Sequence, residues 1–234
     1  MTDAEYAALQ ARLRALADPD YLAFHQKLVP TVHNLLGVRV PALRALAREL
    51  AKGDWRGYLA AAGTGTYEET MLQGLVLGLA RMDVEEFLER LDAFVPKVDN
   101  WAVCDSACAG FKLVRRHRER VLAEIAPWLQ SPEEFRVRVA AVLLMDHFLV
   151  EEYGGRVLEL LAGVRHEGYY ARMAAAWALS VCLVKFEEPT MALLRSGGLE
   201  PEIRRMALQK ALESGRVGAD AKAELRRMRA ACRE

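Results

Sequence analysis

The feature that most constrains the fold of this sequence is a pattern that recurs every 33 or 34 residues. Three stretches align with one another: "FRVRVAAVLLMDHF", "YYARMAAAWALSVC" and "EIRRMALQKALES". With Arg138, Arg172 and Arg205 in register, the offsets are 34 residues (172 − 138) and 33 residues (205 − 172). One more step of 33 residues (138 − 33) reaches Asp105 in "WAVCDSACAGF", and another copy lies near Leu72. A period of this length is typical of stacked helical pairs.

The amino-acid composition also favours helices, separated by short segments with residues that break a helix, such as glycine and proline. Ala, Leu, Arg and Glu dominate, and no stretch alternates as a half-buried strand does. Breakers such as "GVRVP", "FVPKVDN" and "SGGLEPE" separate helices of ordinary length, and no linker is long enough to divide the chain. The tetratricopeptide and ankyrin signatures are absent. We therefore predict an all-α fold, an α-solenoid of HEAT-like repeats that forms a single domain over residues 1–234.

Charge and motifs exclude several classes of function. Lys plus Arg equal Asp plus Glu at 32 each, so the net charge indicates neither a nucleic-acid nor a membrane partner. No apolar run approaches the roughly 20 residues that span a bilayer, and "MTDAEYAALQ" does not resemble a secretory signal. A Walker A loop, a dinucleotide fingerprint and a nucleophile elbow are absent. The 4 cysteines and 5 histidines are scattered, so we expect buried thiols, a reducing cytoplasm, and neither a metal nor a cofactor.

The arginines at repeat-equivalent positions predict a binding surface. Equivalent positions in a solenoid line one continuous face, usually the concave one. Arg138, Arg172 and Arg205 would form a stripe there whose guanidinium groups suit a polyanion backbone. Each arginine alone is explained as well by a local ion pair. Glu134, four residues before Arg138, offers such a pair, which stabilises a helix by roughly 0.3–0.5 kcal/mol. Considered together, the three favour polyanion binding.

The segment "VDNWAVCDS" combines an aromatic ring with a carboxylate. Asp99 or Asn100 suits a helix N-cap, so we predict that the helix begins at Trp101 and that Asp105 shares its face. Both residues, and Trp177 further along, also fit ordinary core or ion-pair roles. A carboxylate near arginines and indoles nevertheless suits the stabilisation of positive charge on a sugar as its glycosidic bond breaks. The aromatic faces suit contact with a cationic base.

These features bring the chain close to a known family. Over nearly its whole length it resembles the AlkD-type DNA alkylation repair proteins, through "LLGVRVPALR", "DNWAVCDS", "FRVRVAAVLL" and "YYARMAAAW". The resemblance implies a HEAT-like repeat DNA glycosylase with a concave DNA-binding face. Such an enzyme hydrolyses the N-glycosidic bond of cationic alkylpurines, such as 3-methyladenine and 7-methylguanine, without flipping the base into a pocket. We accordingly expect a cytoplasmic monomer, associated with the nucleoid when it binds alkylated or distorted double-stranded DNA.

The resemblance also implies roles for individual residues. Asp105 matches the catalytic aspartate that stabilises the oxocarbenium-like sugar and positions water. Trp101 and Trp177 match the two tryptophans that contact the sugar–phosphate of the lesion. Arg138 matches the arginine that assists at the DNA backbone, and Arg44 in "VPALRAL" aligns with a backbone contact near the N-terminus.

The chain departs from the family near its N-terminus. "YLAFHQKLVPTVHNLLGVRVP" stands where active members have a helix that enters the minor groove. Pro30 lacks a backbone donor, so we predict that a helix from Tyr21 stops near Leu28. Val40 replaces a residue that is usually polar, whereas Arg39 retains a cation that we predict to contact DNA. This segment resembles a paralogous branch without the minor-groove helix.

Three functions therefore remain open. The first is a glycosylase that uses Asp105. The second is a non-catalytic repeat protein that binds distorted or branched DNA, and the third is a protein-interaction solenoid that binds an acidic peptide. The neutral net charge favours the last two, whereas the aspartate with two tryptophans favours the first. The basic run "KLVRRHRER" is either an extended DNA footprint or a solvated helix face, and "AELRRMRAACRE" is predicted to be a terminal capping helix.

Overall fold

The computed structural model describes residues 1–231, and these residues form fourteen α-helices and no β-strand. The all-α fold predicted from the sequence is confirmed. The helices are α1 Asp3–Ala15, α2 Pro19–Leu28, α3 Val40–Leu50, α4 Trp55–Ala61, α5 Tyr67–Leu79, α6 Val84–Phe94, α7 Trp101–Gly110, α8 Arg118–Ile125, α9 Glu134–His147, α10 Glu151–Ala162, α11 Tyr169–Lys185, α12 Glu187–Ser196, α13 Pro201–Glu213 and α14 Ala219–Ala231.

The first compact unit spans residues 1–114. Within it, α5 packs between α3 and α7, and α6 packs against α5. Every residue of α5 from Tyr67 to Leu77 is buried. This central position explains why residues 74–79 of the helix are apolar on all sides, whereas the first half of the helix carries four buried polar side chains, Glu68, Glu69, Thr70 and Gln73.

The second unit begins at Arg115 and repeats the same arrangement. Its α11 packs between α9 and α13, and α14 packs on α13. The shorter α10 and α12 contact each other and α11. Both units are therefore built from successive helical pairs, as the 33- to 34-residue period indicates. The single domain over residues 1–234 stays a prediction.

The N-caps explain where several helices begin. The side chain of Asn100 accepts a hydrogen bond from the N–H of Val103 at 3.0 Å, so α7 begins at Trp101 as predicted. Asp18 caps α2 in the same way, and Pro19 follows it at the first helical position. Side-chain caps of the same type are provided by Thr2, Asp54, Thr66, Asp83 and Glu200.

The distance of each repeat-equivalent residue from the N-cap of its helix agrees with the register of the sequence repeat. Asp105, Arg138 and Arg205 each lie five residues after the N-cap of their helix (105 − 100, 138 − 133 and 205 − 200), and Arg44, which lies outside the aligned stretches, has the same spacing (44 − 39). Arg172 lies four residues after its N-cap (172 − 168). The aligned positions thus occupy nearly the same turn of each helix, with an offset of one residue at Arg172.

Small residues hold α7 close against α5. A Cβ atom on Gly74 would lie 2.7 Å from the Cβ of Ala107 and 2.8 Å from the ring of Phe94. One turn later, a Cβ on Gly78 would lie 3.0 Å from the backbone of Gly110. Because no larger residue fits at these two glycines without movement, the backbone position of α7 is closely defined.

Three further features are the C-terminal helix, the apolar character of the helices and the burial of the cysteines. The predicted terminal helix is present as α14, and Cys232 to Glu234 lie outside the described residues. Within residues 1–231, none of the helices combines the length and apolar character that a membrane crossing requires. The three cysteines in this range are buried.

Candidate functional site

Two of the predicted site residues of the first unit, Trp101 and Asp105, lie on one face of α7. Trp101 and Asp105 are both partly exposed, whereas the three residues between them are buried. A separation of four residues places the two side chains one helical turn apart on the same side. The tight packing of α7 on α5 fixes the position of this face. The shared face of Trp101 and Asp105 is the arrangement predicted from "DNWAVCDS".

The orientation of Trp101 is set by the end of α2. Its indole Nε1–H donates to the carbonyl oxygen of Leu28 at 3.3 Å. Leu28 is the last residue of α2, as predicted from Pro30. The N–H of Val32, which a longer helix would direct at Leu28, instead donates to the carbonyl of Val29 at 3.0 Å. The segment in which the chain departs from the resembled family therefore contacts the candidate tryptophan.

A buried carboxylate organises the loop that follows α2. Glu68 is 0% exposed, and its two oxygens accept hydrogen bonds from the N–H groups of Leu36, Gly37 and Val38 at 2.9, 2.8 and 3.2 Å. Gly37 has φ +87°, and a Cβ there would lie 2.7 Å from the Cβ of Leu22. The loop is thus fixed by the hydrogen bonds of its backbone to Glu68 and by close packing at Gly37, which has the only left-handed conformation among residues 29–39. Glu68 was not singled out by the sequence analysis, because a buried role for it depends on tertiary packing.

The two predicted DNA contacts near the N-terminus differ in their surroundings. Arg39 forms an exposed ion pair with Asp18 at 2.8 Å, and its guanidinium lies 5.0 Å from the ring centre of Tyr21. The N–H of Tyr21 and the side chain of Arg39 both lower the pKa of Asp18. Arg44 is exposed on α3, and its side chain has no hydrogen bond or ion pair among residues 1–231.

In the second unit, Arg138 braces α9 against the beginning of α11. Its side chain is buried, with 4% of the residue exposed, and Nη1 donates to the carbonyl oxygen of Tyr170 at 3.2 Å. The guanidinium lies 5.9 Å from the ring centre of Tyr170. The N–H of Tyr170 donates to Glu134 at 2.5 Å. A buried guanidinium requires such partners, because its desolvation is costly.

The other two arginines of the predicted stripe are more accessible. Arg172 is partly buried; its Nε donates to the carbonyl of His166 at 2.5 Å, and Nη2 lies 3.6 Å from the Glu200 carboxylate. The side chain of Arg205 is 58% exposed and pairs with Glu202 at 2.5 Å. Exposure therefore increases from Arg138 through Arg172 to Arg205, a gradient that the repeat pattern does not reveal.

Trp177 is partly exposed on α11. Unlike Trp101, its indole N–H has no acceptor in the part of the chain that the structure describes. Its backbone carbonyl accepts a hydrogen bond from the hydroxyl of Ser180 at 2.7 Å. Trp177 therefore retains a donor that is available to a ligand.

Part of the basic run after α7 has a structural role. Arg115 donates to Nδ1 of His147 at 3.1 Å, and Arg118 donates to the carbonyl of the same residue at 2.6 Å. These bonds attach the start of the second unit to the end of α9. Arg116 and Lys112 are exposed and have no such partner within residues 1–231.

Further cations were missed by the sequence analysis. Arg48 and Lys52 follow Arg44 at intervals of four residues, and all three are exposed. This spacing places Arg44 and Arg48 on one side of α3, with Lys52 in the turn that follows, so the signal was present in "LRALARELAK". No cluster of three or more His, Cys, Asp or Glu suited to a metal ion occurs among the described residues.

Comparison with known proteins adds one match. The profile of a protein family described as DNA alkylation repair enzyme matches residues 9–184, which are 176 of the 234 residues (184 − 9 + 1). The matched range includes every predicted site residue except Arg205. No curated protein matches the chain.

Proposed function

Because the chain belongs to the family of DNA alkylation repair enzymes, we propose that it is a DNA glycosylase for cationic alkylpurines. Its substrates would be bases such as 3-methyladenine and 7-methylguanine in double-stranded DNA. The observation that carries the proposal is the pairing of Trp101 with Asp105 on the accessible face of α7. A carboxylate and an indole at one surface can meet a damaged nucleotide together.

Asp105 has a defined role in this reaction. The bond between C1′ of the sugar and the purine nitrogen breaks, and its electron pair moves to the purine. The cationic base thereby leaves as a neutral molecule, and positive charge develops on the sugar. The Asp105 carboxylate stabilises that charge and positions a water molecule, which adds its oxygen to C1′ and releases a proton. The products are the free alkylpurine and an abasic site.

The aromatic residues and arginines are assigned to binding. Trp101 and Trp177 would contact the sugar–phosphate of the lesion, and an aromatic face attracts the cationic base. The indole N–H of Trp177 is available for a phosphate oxygen, whereas that of Trp101 is engaged with Leu28. The two tryptophans would therefore contribute differently, Trp101 through its ring and Trp177 through its ring and its donor.

The arginines would contact the DNA backbone to different extents. Arg44 is exposed and unpaired among the described residues. Arg39 and Arg205 would exchange an exposed carboxylate partner for a phosphate, which costs little because such surface pairs stabilise weakly. Arg172 is partly buried beside Glu200. Arg138 is buried, so its contribution would include holding Tyr170 at the start of α11.

One observation favours a second candidate function, a non-catalytic protein that binds distorted or branched DNA. Helix α2 ends at Leu28, and the loop after it is anchored by Glu68. If turnover in this family requires a minor-groove helix in this segment, the chain would keep DNA binding and lose excision. This reading uses the same arginines and differs only in the chemical step.

Single-turnover release of 7-methylguanine from methylated duplex DNA tests the proposal. The wild type should release the base well above the spontaneous rate. Asp105→Asn should reduce the rate by about 100-fold or more, because one preorganised electrostatic contact is typically worth 10²–10³ in rate. Asp220→Asn, an exposed aspartate on α14, serves as the matched control and should behave as the wild type.

The alternatives give different results in the same assay. No release by the wild type, together with salt-sensitive binding to DNA, would overturn the glycosylase and support the non-catalytic binder. Absence of both release and DNA binding would overturn both and leave an acidic peptide as the partner to test.

A further inference from the structure

Two adjoining cavities in the first unit are lined by cations. One has a volume of about 550 Å³ and the other about 300 Å³, and Arg48 and Leu79 line both. The cationic residues around them define what we call the basic surface. They are Arg44, Arg48, Lys52, Arg81 and Lys112.

The charge of the basic surface is not neutralised by the protein. Neither cavity has a carboxylate in its lining. None of the five side chains forms a hydrogen bond or ion pair within the part of the chain that the structure describes. Other arginines of the same unit do pair with carboxylates, namely Arg12, Arg39, Arg56 and Arg90. The basic surface therefore concentrates positive charge in one region of a chain whose net charge is zero.

We propose that the basic surface binds the phosphate backbone of double-stranded DNA beside the lesion. The position beside a lesion rests on the proposed function, whereas the binding of duplex phosphates does not. Arg44 and Arg48 are separated by about 6 Å along the axis of α3, given a rise of about 1.5 Å per residue, and Lys52 follows in the turn after the helix. Lysine and arginine side chains at such intervals can each contact a phosphate of a continuous strand.

The cavities allow a backbone to approach closely. Gly53, Gly78 and Gly110 line them and add no side chain. A Cβ atom on Gly110 would meet nothing within 4 Å, so the space in front of this glycine is open. Ser106, the residue after Asp105, lines the smaller cavity. The basic surface therefore continues from the accessible side of α7.

Stabilisation of helix ends is an alternative explanation for some of these cations. Arg48 and Lys52 lie near the C-terminus of α3, and Arg81 lies two residues after α5. Cations at these positions complement the helix dipole. That role does not explain Arg44, which lies in the first half of α3 and also carries no partner among residues 1–231.

Salt-dependent binding to an undamaged 20-base-pair duplex, followed by fluorescence anisotropy, tests the proposal. In Arg48→Gln/Arg81→Gln, the slope of log K against log salt concentration should fall by about 2, because each phosphate contact contributes about 0.9. Affinity at about 0.1 M salt should fall roughly tenfold or more. Arg14→Gln/Lys27→Gln removes the same charge from exposed residues that line neither cavity, and its slope should match the wild type.

A second pair of variants tests the surface without removing a cation. Gly110→Glu adds a carboxylate in open space, whereas Gly110→Gln adds a neutral side chain of the same size. The Glu variant should bind the duplex at least about tenfold more weakly than the Gln variant. Circular dichroism melting of both variants checks that they fold equally.

The outcomes separate this proposal from the proposed function. Equal slopes for the Arg48/Arg81 variant, its control and the wild type would overturn the role of the basic surface, even if 7-methylguanine is released. A lowered slope in that variant supports the surface even if nothing is excised. Asp105→Asn should lose excision with an unchanged slope, since Asp105 contacts no phosphate in the proposed reaction.

Discussion

The indole nitrogen of Trp101 lies 3.3 Å from the carbonyl oxygen of Leu28 and donates a hydrogen bond to it. This bond joins the first residue of α7 to the last residue of α2. The carbonyl is available because α2 stops before Pro30, so no helical N–H reaches it. The early end of α2 is therefore part of what orients the candidate site.

The two tryptophans should respond differently to loss of the indole N–H. Trp101→Phe should lower the free energy of unfolding by about 0.5–1.5 kcal/mol more than Trp177→Phe, because only Trp101 loses a hydrogen bond. Indole N–H exchange measured by NMR should likewise be slower for Trp101. Equal exchange rates at the two indoles would contradict the bond to Leu28.

Glu68→Gln should destabilise the first unit by about 1–3 kcal/mol. The amide nitrogen of glutamine would face backbone donors that now bind a carboxylate oxygen, and a buried donor would lose its partner. The exposed Glu89→Gln is the matched control and should be close to neutral. Urea unfolding measures the difference, and limited proteolysis should show faster cleavage between residues 29 and 39. An unchanged cleavage rate would argue against the anchoring role of Glu68.

The contact between α5 and α7 predicts opposite effects for two glycine substitutions. Gly74→Ala should destabilise by about 1–3 kcal/mol, because its Cβ would overlap Ala107 and Phe94. Gly110→Ala meets no atom within 4 Å and should leave stability unchanged or raise it slightly. Thermal unfolding compares the two. A higher Tm for Gly74→Ala than for Gly110→Ala is the result that this packing forbids.

The ion pairs of Glu86 with Arg56 and Arg90 predict how the stability of the folded chain changes at acidic pH. Hydrogen bonds from Arg56, together with Arg90, lower the pKa of Glu86 from 4.5 to about 2. Because the folded-state pKa is lowered, the carboxylate stabilises the folded chain above about pH 4.5, and this contribution is lost as the pH falls towards 2.

Melting curves across that range check this expectation. The Tm of the wild type should fall more steeply than that of Glu86→Gln, which has no carboxylate to protonate. Glu89→Gln removes an exposed, unpaired carboxylate of the same helix and should follow the wild-type curve. Parallel curves for wild type and Glu86→Gln would show that the pair does not contribute.

Local sequence signals predicted the helices well. The period of 33 or 34 residues indicated stacked helical pairs, Asp99 or Asn100 was predicted to cap α7 and Asn100 does so, and Pro30 marked the end of α2. The last two depend on neighbouring residues alone, through capping or through a missing backbone donor. The division into two compact units was not predicted, because it depends on contacts between distant helices.

The candidate site was predictable only in part. The shared face of Trp101 and Asp105 follows from their spacing. The burial of Arg138 does not, since it depends on the carbonyl of Tyr170 from another helix. The same holds for the buried Glu68, whose partners are loop N–H groups about 30 residues away.

The burial of the three described cysteines affects how the protein reacts with alkylating reagents. Reagents that methylate purine nitrogens also attack thiolates, and a thiolate is far more nucleophilic than a thiol. Cys104 and Cys108 lie inside α7, and burial raises the pKa of Cys182 to about 12. These sulfurs are therefore shielded from the electrophiles that would generate the substrate of the proposed reaction. Cys104, Cys108 and Cys182 should therefore remain unmodified when the folded protein is exposed to such reagents.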